Sequence, residues 1–223
     1  MIPWVLIDKA PVPGGGELRL MQRGTEFSIM LGANELMNSR LSGSEEALAK
    51  LSCDKIGARP KPHILIGGLG MGFTLRAALA EVGAGAQITV AELVPGVVAW
   101  AQGAMTPVFG DSLHDPRVTL HVGDVGQLMR ARKSAYDAIL LDVDNGPEGL
   151  TRESNDALYA LPGLVAARNA LRPGGVLSVW SSGPDARFTQ RLRKAGFAVE
   201  EVSVRANAKR GGARHVIWVA TRP

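Results

Sequence analysis

The chain contains a single cysteine, Cys53, in 223 residues, so no internal disulfide can brace it. Aromatic side chains are scarce at 5%, with two tyrosines and five phenylalanines. No stacking motif of the kind an RNA-binding sheet uses is present. Gly, Pro or charge breaks every apolar run well short of the ~18 residues that a membrane-spanning helix needs. Met1-Ile2-Pro3-Trp4 lacks the basic start and long apolar core of a signal peptide. The four histidines, His63, His114, His121 and His215, have no His-x-x-x-His spacing, and one cysteine adds little, so no metal site is predicted. These absences point to a cytoplasmic protein without membrane contact.

What is present is enough for one sizeable core with a small appendage: 46% of the residues are hydrophobic, which excludes a disordered or fibrous chain. The net charge is +4, and Lys209, Arg210 and Arg214 crowd one glycine-containing segment. Such a cluster invites a nucleic-acid partner, but the shortage of aromatics weighs against one. The segment from Arg205 to Arg214 serves equally well as a solvated loop, a grip on an anionic substrate or a cover for an active site.

Residues 1–57 read as a small unit of their own. Strand-like runs at Trp4–Ile7, Glu17–Met21, Phe27–Leu31 and Glu35–Met37 are separated by Pro- and Gly-rich turns, the pattern of an antiparallel meander. Ser42 and Glu45 have capping-box spacing, which predicts a short helix from Glu45 to Cys53. Gly57-Ala58-Arg59-Pro60 is the expected boundary with a second unit, residues 58–223. There strands alternate with helices, which predicts an α/β fold with a mostly parallel sheet. Strands are expected at Ile64–Ile66, Gln87–Glu92, Val118–Val122, Tyr136–Leu141 and Val176–Trp180. Helices are expected at about 73–82, 95–105, 125–132, 154–171 with a break near Pro162, and 184–195. Phe197–Arg205 and His215–Thr221 follow with no helix between them, so they should pair antiparallel. A Rossmann-like sheet ending in that way suits a methyltransferase fold better than a dinucleotide dehydrogenase.

In an open α/β sheet the ligand lies beyond the carboxyl ends of the strands, and the residues there are polar. The turn after the first parallel strand carries Gly68, Gly70 and Gly72, where backbone can approach a ligand closely. Phe73 stands where the NAD fingerprint needs its third glycine, which disfavours a dinucleotide. Glu92 ends the next strand, about 20 residues beyond the turn, where a carboxylate can accept both hydroxyls of a ribose. Asp124 follows the third strand and can meet an adenine amino group while capping the helix from Val125. Asp142 follows Ala138-Ile139-Leu140-Leu141 and faces the cleft, where partial desolvation would make it a usable base. Trp180, with Ser181-Ser182-Gly183, offers either an aromatic wall to a substrate or a core side chain.

The glycine turn, Glu92, His121-Val122-Gly123-Asp124, Tyr136-Asp137-Ala138-Ile139-Leu140-Leu141-Asp142 and Leu171-Arg172-Pro173-Gly174-Gly175 together resemble the spermidine synthase (polyamine aminopropyltransferase) family, within the wider S-adenosylmethionine-dependent methyltransferase superfamily. The resemblance covers most of residues 17–205. It implies that Glu92 holds ribose, Asp124 meets adenine and Asp142 takes the proton of an attacking amine, and it implies a homodimer. It also exposes departures. Gly70 stands where that family carries an aspartate that grips the aminopropyl ammonium. Asn145 replaces a second aspartate, with Asp144 beside it as a substitute substrate contact, and a pocket tyrosine falls near Ser44.

The expectation is therefore a transferase that uses S-adenosylmethionine or decarboxylated S-adenosylmethionine as co-substrate and a small-molecule acceptor such as an amine. Gly70 tips the balance toward methyl transfer, with aminopropyl transfer as the alternative. A reading from another class is a non-catalytic nucleoside-binding module whose basic segment recruits a partner or RNA.

Overall fold

The computed structural model describes residues 2–143, 146–147, 157–207 and 211–223. Four strands, β1 (Val5–Pro11), β2 (Glu17–Arg23), β3 (Glu26–Leu31) and β4 (Asn34–Asn38), form an antiparallel sheet in chain order. The expected meander is thus present, with its first strand reaching Pro11 rather than Ile7. Leu18 and Leu20 of β2 alternate with more exposed neighbours and, with Phe27 and Ile29 of β3, turn one face of this sheet inward.

Helix α1 (Gly43–Ile56) is longer than expected, and its start differs from the capping box. Ser42 occupies the N-cap without a side-chain bond to the helix backbone; its hydroxyl donates to Glu46 Oε1 at 2.7 Å instead. Glu45 is thereby left to turn inward. α1 packs on α2 (Phe73–Glu81) and on strand β9 (Leu171–Ser181), where Ser52 Oγ meets Ser178 Oγ at 2.7 Å. A continuous core runs from Leu20, Phe27 and Ile29 through Leu48 to Ile64, Ile66 and Val90.

The larger sheet has the order β10-β11-β9-β8-β5-β6-β7, with β5 (His63–Gly67), β6 (Gln87–Glu92), β7 (Val118–Val122), β8 (Tyr136–Leu141), β10 (Ala198–Asn207) and β11 (Gly211–Thr221). β5 through β9 are parallel, and β11 enters antiparallel to both β9 and β10. β5 and β8 lie inside the sheet and are buried almost throughout, which is why they read as unbroken apolar runs. Helices α3 (Pro95–Gln102), α4 (Thr106–Phe109), α5 (Val125–Ala131), α6 (Leu161–Ala170) and α7 (Ala186–Lys194) join the strands.

The break expected near Pro162 is present: residues 157–159 are helical, Ala160 interrupts, and Pro162 falls in the first turn of α6, where a missing N–H costs nothing. Two expectations are corrected. The helix from Pro95 stops at Gln102 before Gly103, and a separate short helix follows. Arg172-Pro173-Gly174-Gly175 is a bulge within β9: Tyr136 pairs with Leu171 and Ala138 with Val176, so the chain steps aside and returns.

At the strand-start end, buried Asp137 accepts from Arg172 Nη1 at 2.6 Å, from Arg59 Nη1 at 2.5 Å and from the backbone N–H of His63 at 2.8 Å. This pins the 57–60 linker to β8, at the end of the sheet away from the polar strand exits. Among the described residues no helix is long and apolar enough to cross a membrane, and no group of three His, Cys, Asp or Glu side chains is placed to hold a metal ion.

Candidate active site

A cavity of about 320 Å³ opens beyond the carboxyl ends of β5 to β9. Gly68, Gly70, Glu92, Asp124, Asp142 and Trp180 all line it, so residues spread over 113 positions meet in one place. Leu18, Ile29, Leu31, Leu36 and Met37 from the small sheet contribute an apolar roof, and Ser44 and Glu45 enter from the first turn of α1. Gly72 is the exception among the predicted glycines. It caps α2 and packs on Phe109, whose ring a Cβ there would strike at 2.4 Å. Asp144 and Asn145 lie outside the described residues.

Space fixes the turn as well as backbone angle. Gly68 has φ +93°, and a Cβ on it would fall 2.2 Å from the carbonyl oxygen of Asp142. The exits of β5 and β8 are therefore in close backbone contact, helped by the Asp142 N–H donating to the Gly67 carbonyl at 2.9 Å.

Glu92 is only 8% exposed, and both its oxygens accept backbone N–H groups: Leu69 at 2.9 Å and Val94 at 2.8 Å. Burial pushes its carboxyl above the ordinary carboxylate value, and these amide bonds oppose that rise. The acid thus ties the glycine turn to the exit of β6 and still presents spare lone pairs to the cavity. Asp124 caps α5 as expected, accepting from Gly126 N–H at 2.7 Å, while its other oxygen accepts from Arg130 Nη2 at 3.1 Å.

Asp142 lines the cavity and is partly exposed there. Thr74 Oγ1, in the first turn of α2, donates to its Oδ2 at 2.7 Å. Desolvation first, and the nearby negative charge of Glu45 second, raise its pKa to about 7; the Thr74 bond works against both. A carboxyl poised near neutrality is suited to accept a proton at physiological pH.

Three site residues escaped the sequence reading. Ser44, 1% exposed, donates its hydroxyl to Glu45 Oε2 at 2.7 Å, and His215 Nδ1 lies 2.9 Å from the same hydroxyl oxygen. Burial holds the His215 imidazole below its ordinary pKa, hence neutral at pH 7. The sequence carried two signals here: the family's pocket tyrosine falls near Ser44, and the spacing of Ser42 and Glu45 reads as capping. Trp180 stacks edge-on against His215 with ring centroids 4.7 Å apart, and its buried indole N–H has no acceptor among the described residues. The described lining residues include four carboxylates and one histidine but no lysine or arginine.

Comparison with known proteins gives a family and a fold. The family described as spermine/spermidine synthase domain matches residues 45–190. Putrescine N-methyltransferase 1 of Nicotiana tabacum is 35% identical over 127 residues, covering 54% of this chain and 32% of that protein. A polyamine aminopropyltransferase of Mycobacterium tuberculosis is 31% identical over 153 residues, 64% of this chain and 28% of that protein. The matched region thus spans about a third of the length of these relatives. In fold, the spermidine synthase of Thermotoga maritima superposes with a TM-score of 0.77 at 17% identity, covering 98% of this chain and 73% of that one.

Proposed function

The chain belongs to the spermine/spermidine synthase family, whose members are transferases, and from this we propose that it moves an alkyl group from a nucleoside sulfonium, S-adenosylmethionine or its decarboxylated form, to a small amine. The observation that carries this reading is the charge of the cavity: its described wall holds Glu45, Glu92, Asp124 and Asp142 and no fixed cation. Such a wall favours a sulfonium and an ammonium and repels phosphates.

The residues present fit a nucleoside. Glu92, held by two backbone amides, keeps lone pairs for a pair of ribose hydroxyls. Asp124 can accept a hydrogen bond from an adenine amino group while it caps α5. Gly68 and Gly70 let backbone approach where any side chain would intrude. The donor, when bound, supplies an alkyl group already activated by the positive sulfur. What remains for the protein is alignment and proton removal. Asp142 does the second: with a pKa of about 7 it can accept the proton that the attacking nitrogen sheds. In this division of labour residues 1–57 roof the acceptor side, and residues 58–223 hold the nucleoside.

Methyl transfer is the reading we favour between the two reactions. Relatives of both kinds match this chain, so the comparisons weigh equally. What tips the balance is Gly70, which carries no acid, with Met37 filling the space where a side chain would project. An aminopropyl ammonium would meet a thioether there rather than a carboxylate, at a cost in desolvation.

Calorimetry with S-adenosylmethionine, its decarboxylated form and methylthioadenosine, followed by product analysis with small amines, tests the proposal. Tighter binding of S-adenosylmethionine and a methylated amine are expected. Tighter binding of the decarboxylated donor with an aminopropylated product would reverse the choice of reaction. Failure of all three nucleosides to bind would overturn the reading itself.

A further inference from the structure

We propose that Glu45 is a positioning residue for Asp142: held by Ser44, which His215 holds in turn, it faces Asp142 across the cavity, and the two carboxyl groups share one proton as a two-carboxylate base. The inference rests on the reading of Asp142 as the base and names the group that tunes it.

The geometry begins with the first turn of α1. A glutamate there normally points to water, as exposed Glu46 does, bound by the Ser42 hydroxyl. Glu45 instead turns into the cavity, where the Ser44 hydroxyl donates to its Oε2 at 2.7 Å. That hydroxyl has one hydrogen, so His215 Nδ1, 2.9 Å away, must supply the other hydrogen when Glu45 is ionised. Ser44 is almost fully buried and His215 is wedged edge-on against Trp180, so this chain of contacts holds Glu45 in one orientation.

Two carboxylates facing one cavity without a cation between them cannot both stay ionised cheaply, and a shared proton is the usual resolution. Glu45 is pushed up chiefly by burial and, to a small degree, by Glu46, with the Ser44 bond opposing; Asp142 faces Glu45 from α1 and the Thr74 hydroxyl from α2. Glu92 and Asp124, the other acids of the cavity, have their own backbone partners. During transfer the nitrogen loses one proton as its new bond to carbon forms, and the singly protonated pair becomes doubly protonated. The surplus proton then passes to water, which returns the pair to its singly protonated state.

The test is direct titration of the carboxyl carbons in protein labelled with ¹³C-aspartate, with the Asp142 signal identified by its loss in Asp142→Asn. A midpoint near 7 is expected in the unaltered protein. In Glu45→Gln, which keeps the size of the side chain and an acceptor for Ser44, the midpoint should fall by roughly one pH unit, the scale of a like-charge neighbour. Glu46→Gln, on the same turn but facing water, should leave it in place. An unmoved midpoint in Glu45→Gln, or an equal fall in Glu46→Gln, overturns the proposal. Glu45→Met carries the same expectation should the glutamine variant fail to fold. These midpoints require no acceptor. Full turnover in Asp142→Asn would instead sink the functional reading and leave the titration result standing.

Discussion

Met37 covers Gly70: a Cβ built on that glycine would meet the Met37 Cε at 2.5 Å and its Sδ at 2.7 Å. Met37 belongs to β4 of the small sheet, and Gly70 to the turn that follows β5 of the large one. The small sheet thus decides what can stand in the glycine turn of the large one, at the position where the proposed reading looks for an acid to receive a donor ammonium.

Restoring the acid should therefore require moving the methionine. Gly70 has φ +49°, a left-handed backbone that aspartate tolerates better than most side chains. Gly70→Asp alone is expected to fold with a loss of about 1 kcal/mol. Gly70→Asp with Met37→Ala should raise the affinity for decarboxylated S-adenosylmethionine relative to S-adenosylmethionine. Calorimetry on the double variant decides it; an unchanged ratio would remove Gly70 as the selector.

Glu92→Gln places an amide nitrogen opposite one of two backbone N–H groups that now find oxygen. One donor then faces another in a buried site. We expect donor affinity to fall at least tenfold, about 1.4 kcal/mol, with a lower thermal midpoint. Nucleoside binding that survived intact would mean Glu92 serves only the turn.

Asp142 makes stability depend on pH in a definite direction. Its folded pKa lies near 7, above an ordinary value of 3.8. Below that ordinary value both states are protonated and nothing is lost. As pH rises to about 7, the unfolded chain ionises first, and stability falls by roughly 1.4 kcal/mol per pH unit. Asp142→Asn removes this dependence. Urea unfolding should find the variant more stable than the parent at pH 8, with the gap narrowing toward pH 5. A gap that stayed constant with pH would contradict the raised pKa.

Asp137 provides a contrast at the far end of the sheet. Asp137→Asn weakens its bonds to Arg59 and Arg172, whose side chains are 29% and 42% exposed, and removes one acceptor from this buried junction. A loss of about 2 kcal/mol is expected, with nucleoside affinity of the folded protein unchanged. A variant that bound the donor tenfold more weakly while keeping its thermal midpoint would show the clamp reaching the cavity.

Much of this architecture was legible in the chain. β6, β7 and β8 have the limits expected from apolar runs bounded by Gly, Pro and acid, because a strand buried between neighbours leaves a continuous hydrophobic signature. Glu92, Asp124 and Asp142 were legible for a related reason: a polar residue ending such a run can only stand at the strand exit, where ligands bind.

Tertiary structure decided the rest. Local spacing reads Ser42 and Glu45 as a cap, since only the docking of α1 beside β9 turns Glu45 toward Asp142. Ser44 and His215 are 171 positions apart and meet because β11 enters between β9 and β10. Met37 reaches Gly70 because the small sheet folds over the turn. Periodicity along a chain reports which face of an element is buried, and it carries no record of which distant side chain will be buried against it.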